Sequence, residues 1–125
     1  EHSLGVGPRL VQVLENSSDF IPIFCHHCAN APCRDACPTE AIYKDENGIV
    51  LINNDECIGC QACVESCPFG AMQFDEKTEF AIKCDLCVDK LKKGERTACS
   101  KACPTQCIFV GDTRQLSERV IQERA

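Results

Sequence analysis

The sequence is poor in the large apolar side chains that usually build a protein core. It has no tryptophan, one tyrosine and six phenylalanines in 125 residues. A chain this short buries a small fraction of its surface, so an ordinary apolar core would stabilise it only marginally. We therefore expect another source of stability, and we expect the chain to be largely unfolded once that source is removed.

Further absences narrow the class of function. No apolar run approaches the roughly 18–20 residues of a membrane-spanning helix, and no signal peptide is visible. The net charge is −6, without the basic stripe that marks a nucleic-acid-binding protein. No Ser–His–Asp set or glycine-rich phosphate loop is present, so the sequence predicts no catalytic residues and no enzymatic activity of the chain by itself.

Cysteine, in contrast, is abundant, with 13 residues in the chain. Such a content indicates either a disulfide scaffold or a metal protein. Twelve of the thirteen cysteines fall into three groups of four, and proline follows the last member of each group. This regularity disfavours disulfides, whose spacings are irregular, and also structural zinc, which pairs C-x2-C units and has no use for the Cys-Pro ending.

The second group, residues 57–68, is the most informative. Its pattern, C-x2-C-x2-C-x3-C-P, is that of bacterial iron–sulfur proteins, in which three cysteines hold one 4Fe–4S cluster and the fourth ligates a neighbouring cluster. We predict a positive φ at Gly59, which lets the backbone turn close to the sulfurs. We also predict that Cys67 lies one helical turn after Cys63 and that Pro68 ends this helix.

The first group widens the pattern to C-x2-C-x4-C-x3-C-P and is followed, like the second, by two short apolar runs around a polar turn. Asn47-Gly48 in the first of these turns is typical of a hairpin. The repeat of cysteine loop, short helix and hairpin predicts a two-cluster ferredoxin module whose fourth cysteines cross over. The predicted ligands are Cys25, Cys28, Cys33 and Cys67 for one cluster, and Cys57, Cys60, Cys63 and Cys37 for the other.

The third group has eleven residues between its second and third members. We predict a short helix in this insert that ends at Gly94 after a basic turn, a closing strand over residues 108–110, and a final helix capped by Ser117. The thirteenth cysteine, Cys107, is interpreted as a buried free thiol or as a replacement ligand. The predicted ligands of a third cluster are Cys84, Cys87, Cys99 and Cys103.

Two sets of polar side chains accompany the cysteines. His26 and His27 lie within the first group, whose ligand set is already complete, so we expect them beside the ligands or exposed rather than bound to iron. The second set is a local cluster of basic residues, which is typical of a solvated helix face. The alternatives are a docking patch for a partner, or cations that raise the potential of a nearby cluster. It comprises Lys83, Lys90, Lys92, Lys93 and Arg96.

The predicted fold class is α+β, a ferredoxin-like polyferredoxin with short hairpins and short helices packed around 4Fe–4S clusters. Residues 9–15 and 20–24 read as strands around a polar turn, and Pro22 indicates an edge or irregular strand. We divide the chain into an N-terminal extended segment (1–24), a two-cluster module (25–82) and a third-cluster segment with a C-terminal helix (83–125).

The three groups, in this order and with the widened third group, resemble the ferredoxin-type electron-transfer (beta) subunits of multi-subunit oxidoreductases. Those subunits serve molybdopterin or tungstopterin enzymes, such as formate dehydrogenases, dimethyl sulfoxide and polysulfide reductases and aldehyde oxidoreductases, and similar subunits serve some hydrogenases. The resemblance covers residues 20–112 and all twelve grouped cysteines. It implies a relay of single electrons between a catalytic subunit, expected to contain a pterin, and another subunit or a soluble carrier such as ferredoxin.

One departure from the family bears on the number of clusters. The family usually has four cysteine groups and four clusters, and its first group is absent here, although Glu1-His2-Ser3 resembles the residues that commonly follow it. The resemblance implies three clusters from this chain. It implies four if an upstream group exists, in which case the third group, residues 84–103, shares a pair of clusters with that group.

The location and two competing functions stay open at this point. Reduced clusters and the absent signal favour the cytoplasm, while a periplasmic or membrane-associated complex is the alternative, because a folded subunit can travel with its partner's signal. A free-standing soluble polyferredoxin would shuttle electrons between enzymes. A structural zinc or assembly module would carry no electrons at all.

Overall fold

The structure is a computed structural model that describes residues 10–124. The chain consists of two compact units, Glu1–Asp85 and Leu86–Ala125. The division falls inside the third cysteine group, so Cys84 belongs to the first unit and Cys87 to the second. Residues 1–3, which are similar to the residues that commonly follow the family's first cysteine group, lie outside the described residues, as does the first residue of the predicted strand at 9–15.

The first unit contains short antiparallel hairpins and very short helices. Each described sheet has two strands, and each pairs neighbours in the sequence. In chain order the elements are β1 (Gln12–Asn16), β2 (Asp19–Ile23), α1 (Pro32–Ala36), β3 (Ile42–Lys44), β4 (Val50–Ile52), α2 (Ala62–Ser66), β5 (Gln73–Asp75) and β6 (Phe80–Ile82). The predicted α+β class with short hairpins and short helices is confirmed.

The β1–β2 hairpin agrees with the strands and turn predicted before the first cysteine. Asn16 pairs with Asp19 across a turn whose Ser17 has a φ of 52°. Pro22 lies opposite Val13 in this two-stranded sheet. Proline lacks the N–H that a central strand donates to its neighbour, so a sheet of two edge strands accommodates it.

The β3–β4 and β5–β6 hairpins repeat one another down to the turn that joins their strands. In the first, the Asp45 carboxylate accepts hydrogen bonds from the N–H groups of Asn47 (2.9 Å) and Ile49 (2.8 Å). In the second, the Asp75 carboxylate accepts from the N–H of Lys77 at 3.0 Å. A short acidic side chain that binds backbone two residues on is a common way to fix a turn.

Three of the helices end in the same way, at a cysteine that precedes a proline. The cysteines Cys37, Cys67 and Cys103 end α1, α2 and a helix of the second unit with ψ angles of 116°, 114° and 117°. A residue before proline is driven out of the helical region because the proline ring clashes with its backbone. The Cys-Pro ending therefore stops each helix at a defined sulfur.

The core of the first unit is small and borders the cysteines. Its buried members are mostly short side chains, and Val50 is 1% exposed. Half-buried cysteines pack directly against this cluster, so the apolar core and the sulfur sites occupy the same region of the unit. The buried members are Ala31, Ile42, Val50, Cys63, Met72 and Ala81.

The second unit is helical throughout its regular elements. It contains α3 (Val88–Lys92), α4 (Ala98–Ala102) and α5 (Thr113–Arg124). The predicted helix of the insert is α3, and Gly94 follows it with a φ of 76°. At the start of α4, the buried Thr97 hydroxyl accepts a hydrogen bond from the Ser100 N–H. None of the helices within residues 10–124 has the length and apolar character needed to cross a bilayer.

Two predictions about the second unit are wrong. Residues 108–110 do not form a strand, and Phe109 instead lies beneath the Arg119 guanidinium of α5, 4.7 Å from its carbon to the ring centroid. Ser117 does not cap α5, because its hydroxyl donates to the Thr113 carbonyl inside the helix. A reciprocal pair of hydrogen bonds between Asp112 and Gln115 caps the helix one turn earlier.

Candidate metal centres

Two cavities in the first unit are each lined by four cysteines. Three come from one sequence group and the fourth from the other group. The first cavity has Cys25, Cys28, Cys33 and Cys67 in its wall. The second cavity has Cys57, Cys60, Cys63 and Cys37 in its wall.

The two short helices explain how the groups become interleaved. Helix α1 carries Cys33 in its first turn and ends at Cys37, while α2 contains Cys63 and ends at Cys67. In each helix the two cysteines are four residues apart, and the N–H of Cys67 donates to the carbonyl of Cys63 at 3.2 Å. Because α1 and α2 contact each other, each helix supplies one sulfur to each cavity.

Gly59 has the positive φ that its place between Cys57 and Cys60 predicts, at 72°. A Cβ atom added there would lie 2.5 Å from the carbonyl oxygen of Glu79, in the turn before β6. The cysteine loop therefore passes directly against the β5–β6 hairpin, and only glycine satisfies both the φ angle and the close approach.

Apart from the sulfurs, the walls of both cavities are mainly apolar. Val50, Phe69 and Met72 line the first cavity, and Ile42, Ile52 and Ala81 line the second. Apolar walls around a metal site limit the access of water and lower the local dielectric constant, which tunes the potential of a bound redox centre.

Backbone N–H groups point at several of the sulfurs. The N–H of His27 donates to Cys25 Sγ at 3.5 Å, and the N–H of Ala41 donates to Cys37 Sγ at 3.3 Å. In the second unit the N–H of Ala98 donates to Cys87 Sγ at 3.5 Å. Donors of this kind stabilise negative charge on sulfur, as iron–sulfur sites require.

The thiols differ in how easily they lose a proton. Burial raises the pKa of Cys63 to about 11 and also raises that of Cys33. At Cys37 burial acts in the same direction, but hydrogen bonds from the Thr39 hydroxyl and backbone and from the Ala41 backbone lower its pKa overall. Because metals bind thiolates, occupation of these sites must release protons from the buried thiols.

The structure separates the members of the third group between the two units. In the second unit, Cys87 precedes α3 with a φ of 50°, Cys99 lies in α4, and Cys103 ends α4. Cys107 Sγ lies 3.6 Å from Cys103 Sγ, and the Thr105 hydroxyl contacts both sulfurs. The Thr105 hydroxyl, followed by the backbone and side chain of Cys107, lowers the pKa of Cys103 to about 6.

Cys107 corrects one interpretation made from the sequence. Its side chain is exposed, so it is not a buried free thiol. None of the thirteen cysteines, all of which lie within the described residues, forms a disulfide. In the same part of the chain, no three His, Cys, Asp or Glu side chains close around a position for a single metal ion.

The two histidines of the first group occupy different surroundings. His26 is exposed and stacks on Phe69, with ring centroids 3.8 Å apart. His27 is half-buried, and its Nδ1 accepts the N–H of Val50 at 3.0 Å. Burial, assisted by the charge of Lys83, lowers the pKa of His27 to about 4, so its ring is neutral at pH 7. One ring nitrogen is thus already occupied by a backbone donor.

Sequence reasoning missed the special position of one cation. The interpretation of Lys83 as part of a solvated helix face is wrong, because the residue is 7% exposed and lies in the wall of the first cavity. The alternative interpretation, a cation that raises the potential of a nearby cluster, stays a prediction. Lys90, Lys92 and Lys93 are exposed as that interpretation expects, while Arg96 is tied to the Ser100 carbonyl and the Gln106 side chain. The sequence feature that could have indicated the burial of Lys83 is its position directly after the apolar residues 80–82.

The donor set and its surroundings fit 4Fe–4S clusters. Each cavity has four thiols, mainly apolar walls and at least one backbone N–H that donates to a sulfur. A 4Fe–4S cluster is held by four cysteine thiolates, and its potential depends on burial and on hydrogen bonds to sulfur. Thiols are also the soft ligands that select iron–sulfur clusters over hard cations.

Comparison with known proteins gives an independent result. The thiosulfate reductase electron transfer subunit of Salmonella typhi is 44% identical over 104 residues, which are 82% of this chain and 53% of that protein. The B subunit of polysulfide reductase from Wolinella succinogenes is 44% identical over 89 residues, 70% of this chain and 47% of that protein. The B subunit of anaerobic dimethyl sulfoxide reductase from Escherichia coli is 35% identical over 100 residues, which are 80% of this chain and 49% of that protein.

The chain spans about half the length of these relatives. The first of these relatives is named an electron-transfer subunit and the other two are named B chains of reductases, which confirms the resemblance to reductase subunits that the cysteine groups predicted. Residues 16–113, which include all thirteen cysteines, match the family model described as a 4Fe-4S dicluster domain. The chain therefore belongs to the 4Fe-4S dicluster domain family.

Proposed function

We propose that this chain is the electron-transfer iron–sulfur subunit of an oxidoreductase complex. The observation that carries the proposal is the pair of four-cysteine cavities, each formed by both sequence groups. Clusters bound there would accept and release single electrons. The chain itself would carry out no bond chemistry.

The proposed ligands follow the two cavities. Cys25, Cys28, Cys33 and Cys67 hold one cluster, and Cys57, Cys60, Cys63 and Cys37 hold a second. For a third cluster the proposal rests on sequence spacing alone, with Cys84, Cys87, Cys99 and Cys103 as ligands. Cys107 is the alternative fourth ligand, since its sulfur lies 3.6 Å from that of Cys103. If the intact protein has an upstream cysteine group, this third group shares a pair of clusters with it.

The protein's own contribution is to hold and insulate these centres. Val50, Phe69 and Met72 exclude water from the first cavity, and Ile42 and Ile52 from the second. The N–H donors to Cys25 and Cys37 stabilise the negative charge that builds up on sulfur.

The proposed partners are a catalytic oxidoreductase subunit, expected to contain a pterin, and a further subunit or soluble carrier such as ferredoxin. Support comes from relatives that are named as components of thiosulfate, polysulfide and dimethyl sulfoxide reductases. The proposed compartment is the cytoplasm. The proposal assigns twelve of the 13 cysteines to cluster binding, and a reducing compartment keeps such thiols available as ligands.

Anaerobic reduction of the purified, cluster-loaded chain tests the proposal. Dithionite should bleach the broad visible absorbance, produce the electron paramagnetic resonance signals of reduced 4Fe–4S centres, and do so reversibly on reoxidation. A protein that shows neither bleaching nor a reducible paramagnetic centre would contradict an electron-transfer function.

A further inference from the structure

Lys83 is an unusual residue because its ammonium group is enclosed by protein. The residue is 7% exposed, and Nζ donates hydrogen bonds to the carbonyls of Val50 and, at 2.9 Å, of Cys84. Lysine normally keeps its charged end in water. A buried lysine held by two carbonyls is therefore a fixed charge at a defined place in the first unit.

That place is the wall of the first cavity. Lys83 lines it together with Cys25, Cys28, Cys33 and Cys67. Among the described residues that form this wall, Lys83 is the one with an ammonium or guanidinium group, and no carboxylate is among them. Asp45 and Asp85, the nearby acidic residues that influence His27, do not line the cavity.

The second cavity offers an internal comparison because the two hairpins repeat. Lys83 directly follows β6, and Asn53 directly follows β4, so the two residues occupy equivalent positions. Asn53 is uncharged and exposed, and its Oδ1 accepts the N–H of Asp55 at 3.1 Å. No residue with a charged side chain other than cysteine is found among the described residues that line the second cavity. Within residues 10–124, the repeat thus places a lysine in the wall of the first cavity and none in the wall of the second.

A buried cation changes the energy of adding an electron nearby. The interaction between two charges strengthens as the effective dielectric constant falls, so an enclosed ammonium acts more strongly than one in solvent. Net charge and burial are among the properties by which a protein sets the potential of an iron–sulfur cluster. A positive charge favours the reduced, more negative state and hence raises the reduction potential.

We propose that Lys83 raises the reduction potential of the cluster in the first cavity above that of the cluster in the second. This inference rests on the proposed function. An electron shared by the pair then resides mainly at the first cavity, so the order of the two centres in the relay is set by one side chain. Lys83 acts on the cluster by its charge and is a tuning residue, not a ligand.

The test is a potentiometric titration of the cluster-loaded full chain, followed by electron paramagnetic resonance. Lys83→Gln removes the charge but keeps an amide that can donate to a carbonyl. We expect the equilibrium constant for reduction of one centre to fall about tenfold, which is about 59 mV for a one-electron couple. The other centre should stay unchanged, and Lys83→Arg, which retains the charge, should stay close to the wild type.

Lys77→Gln is the matched control. Lys77 is exposed in the β5–β6 turn, so this variant removes the same net charge from a solvent-screened position and should shift neither centre. An equal shift in Lys77→Gln and Lys83→Gln, or no shift in Lys83→Gln, overturns the inference. Cys28→Ser and Cys60→Ser assign the signals, because each alters the spectrum of the centre that it ligates.

The wild-type protein provides a second measurement that needs no lysine variant. Of the two assigned centres, the one altered by Cys28→Ser should have the higher midpoint potential, and the reverse order overturns the inference. A failure of the proposed function can be distinguished from a failure of the role proposed for Lys83. A wild-type chain without reducible clusters contradicts the proposed function, whereas two reducible clusters with unshifted potentials contradict the role of Lys83 alone.

Discussion

At the scale of single residues, the positions of the cysteine sulfurs and the backbone conformation of Gly59 could be predicted from the spacing of the cysteines. Gly59 has the expected φ because a tight C-x2-C turn leaves no other choice, and Cys67 follows Cys63 by one helical turn as predicted. The enclosure of Lys83 did not follow from the sequence, because a lysine in a basic stretch is usually solvated. Only its contact with the Val50 carbonyl, from a distant part of the chain, reveals its place.

Replacement of Cys37 tests the crossed arrangement of ligands. Cys37 lies in the first sequence group but lines the cavity of the second. We expect Cys37→Ala to damage the centre held by residues 57–63 and to spare the centre held by residues 25–33. Mössbauer and electron paramagnetic resonance spectra of the purified variant would count the surviving centres.

Cys33→Ala is the matched control, since Cys33 lies on the same short helix but lines the first cavity. It should remove the other centre. Loss of the same centre in both variants would rule out the crossed arrangement.

Two glycines with positive φ allow steric clash to be separated from backbone strain. Gly59→Ala should lower the temperature of cluster loss well below that of Gly48→Ala, although both incur the left-handed cost of about 1–2 kcal/mol. An added Cβ at Gly59 would meet the Glu79 carbonyl at 2.5 Å, whereas nothing lies within 4 Å of one at Gly48. Thermal bleaching of the visible absorbance measures the difference, and equal midpoints would contradict the close approach.

At the scale of elements, the hairpins and helix ends were predictable where a local rule fixes them. The Cys-Pro endings stop three helices because proline constrains the preceding residue. The strand predicted over residues 108–110 is wrong because β-rich composition alone does not supply a partner strand, and the second unit contains none among its described residues. The prediction of Ser117 as the cap is wrong because Asp112 and Gln115, three residues apart, form a reciprocal capping pair one turn earlier.

The start of α4 depends on one buried hydroxyl. Thr97 is 2% exposed, accepts the Ser100 N–H, and donates to the Ser100 hydroxyl at 2.8 Å. Thr97→Ala should destabilise this helix by about 2 kcal/mol, because it removes the cap and leaves buried polar groups unpaired. Hydrogen exchange of the α4 amides should accelerate about 30-fold, since 1.4 kcal/mol corresponds to a factor of ten. Thr97→Ser, which keeps the hydroxyl, should retain most of the protection; equal acceleration in both variants would contradict the capping role.

At the scale of the whole molecule, the fold class and the two sulfur-rich regions could be anticipated from the repeat. The division of the third group could not, because the spacing between Cys84 and Cys87 is the same as in the other groups and carries no sign of a boundary. The core explains why the sulfurs matter for folding. Four of the buried apolar residues of the first unit are alanines, Ala31, Ala41, Ala71 and Ala81, so burial contributes little to the free energy of folding.

Removal of iron should therefore unfold the first unit. Chelation under anaerobic, reducing conditions is expected to abolish most of the far-ultraviolet circular dichroism and the dispersion of the amide resonances. Reconstitution with iron and sulfide should restore both. A chain that keeps its dispersed spectrum without iron would show that the apolar core suffices.

The most direct test of the central claim, that these cysteines bind iron–sulfur clusters, is a metal and acid-labile sulfide analysis of the anaerobically purified chain. The account predicts iron and sulfide in equal amounts, at about four of each per cluster, with zinc absent. Stoichiometric zinc without sulfide would contradict it.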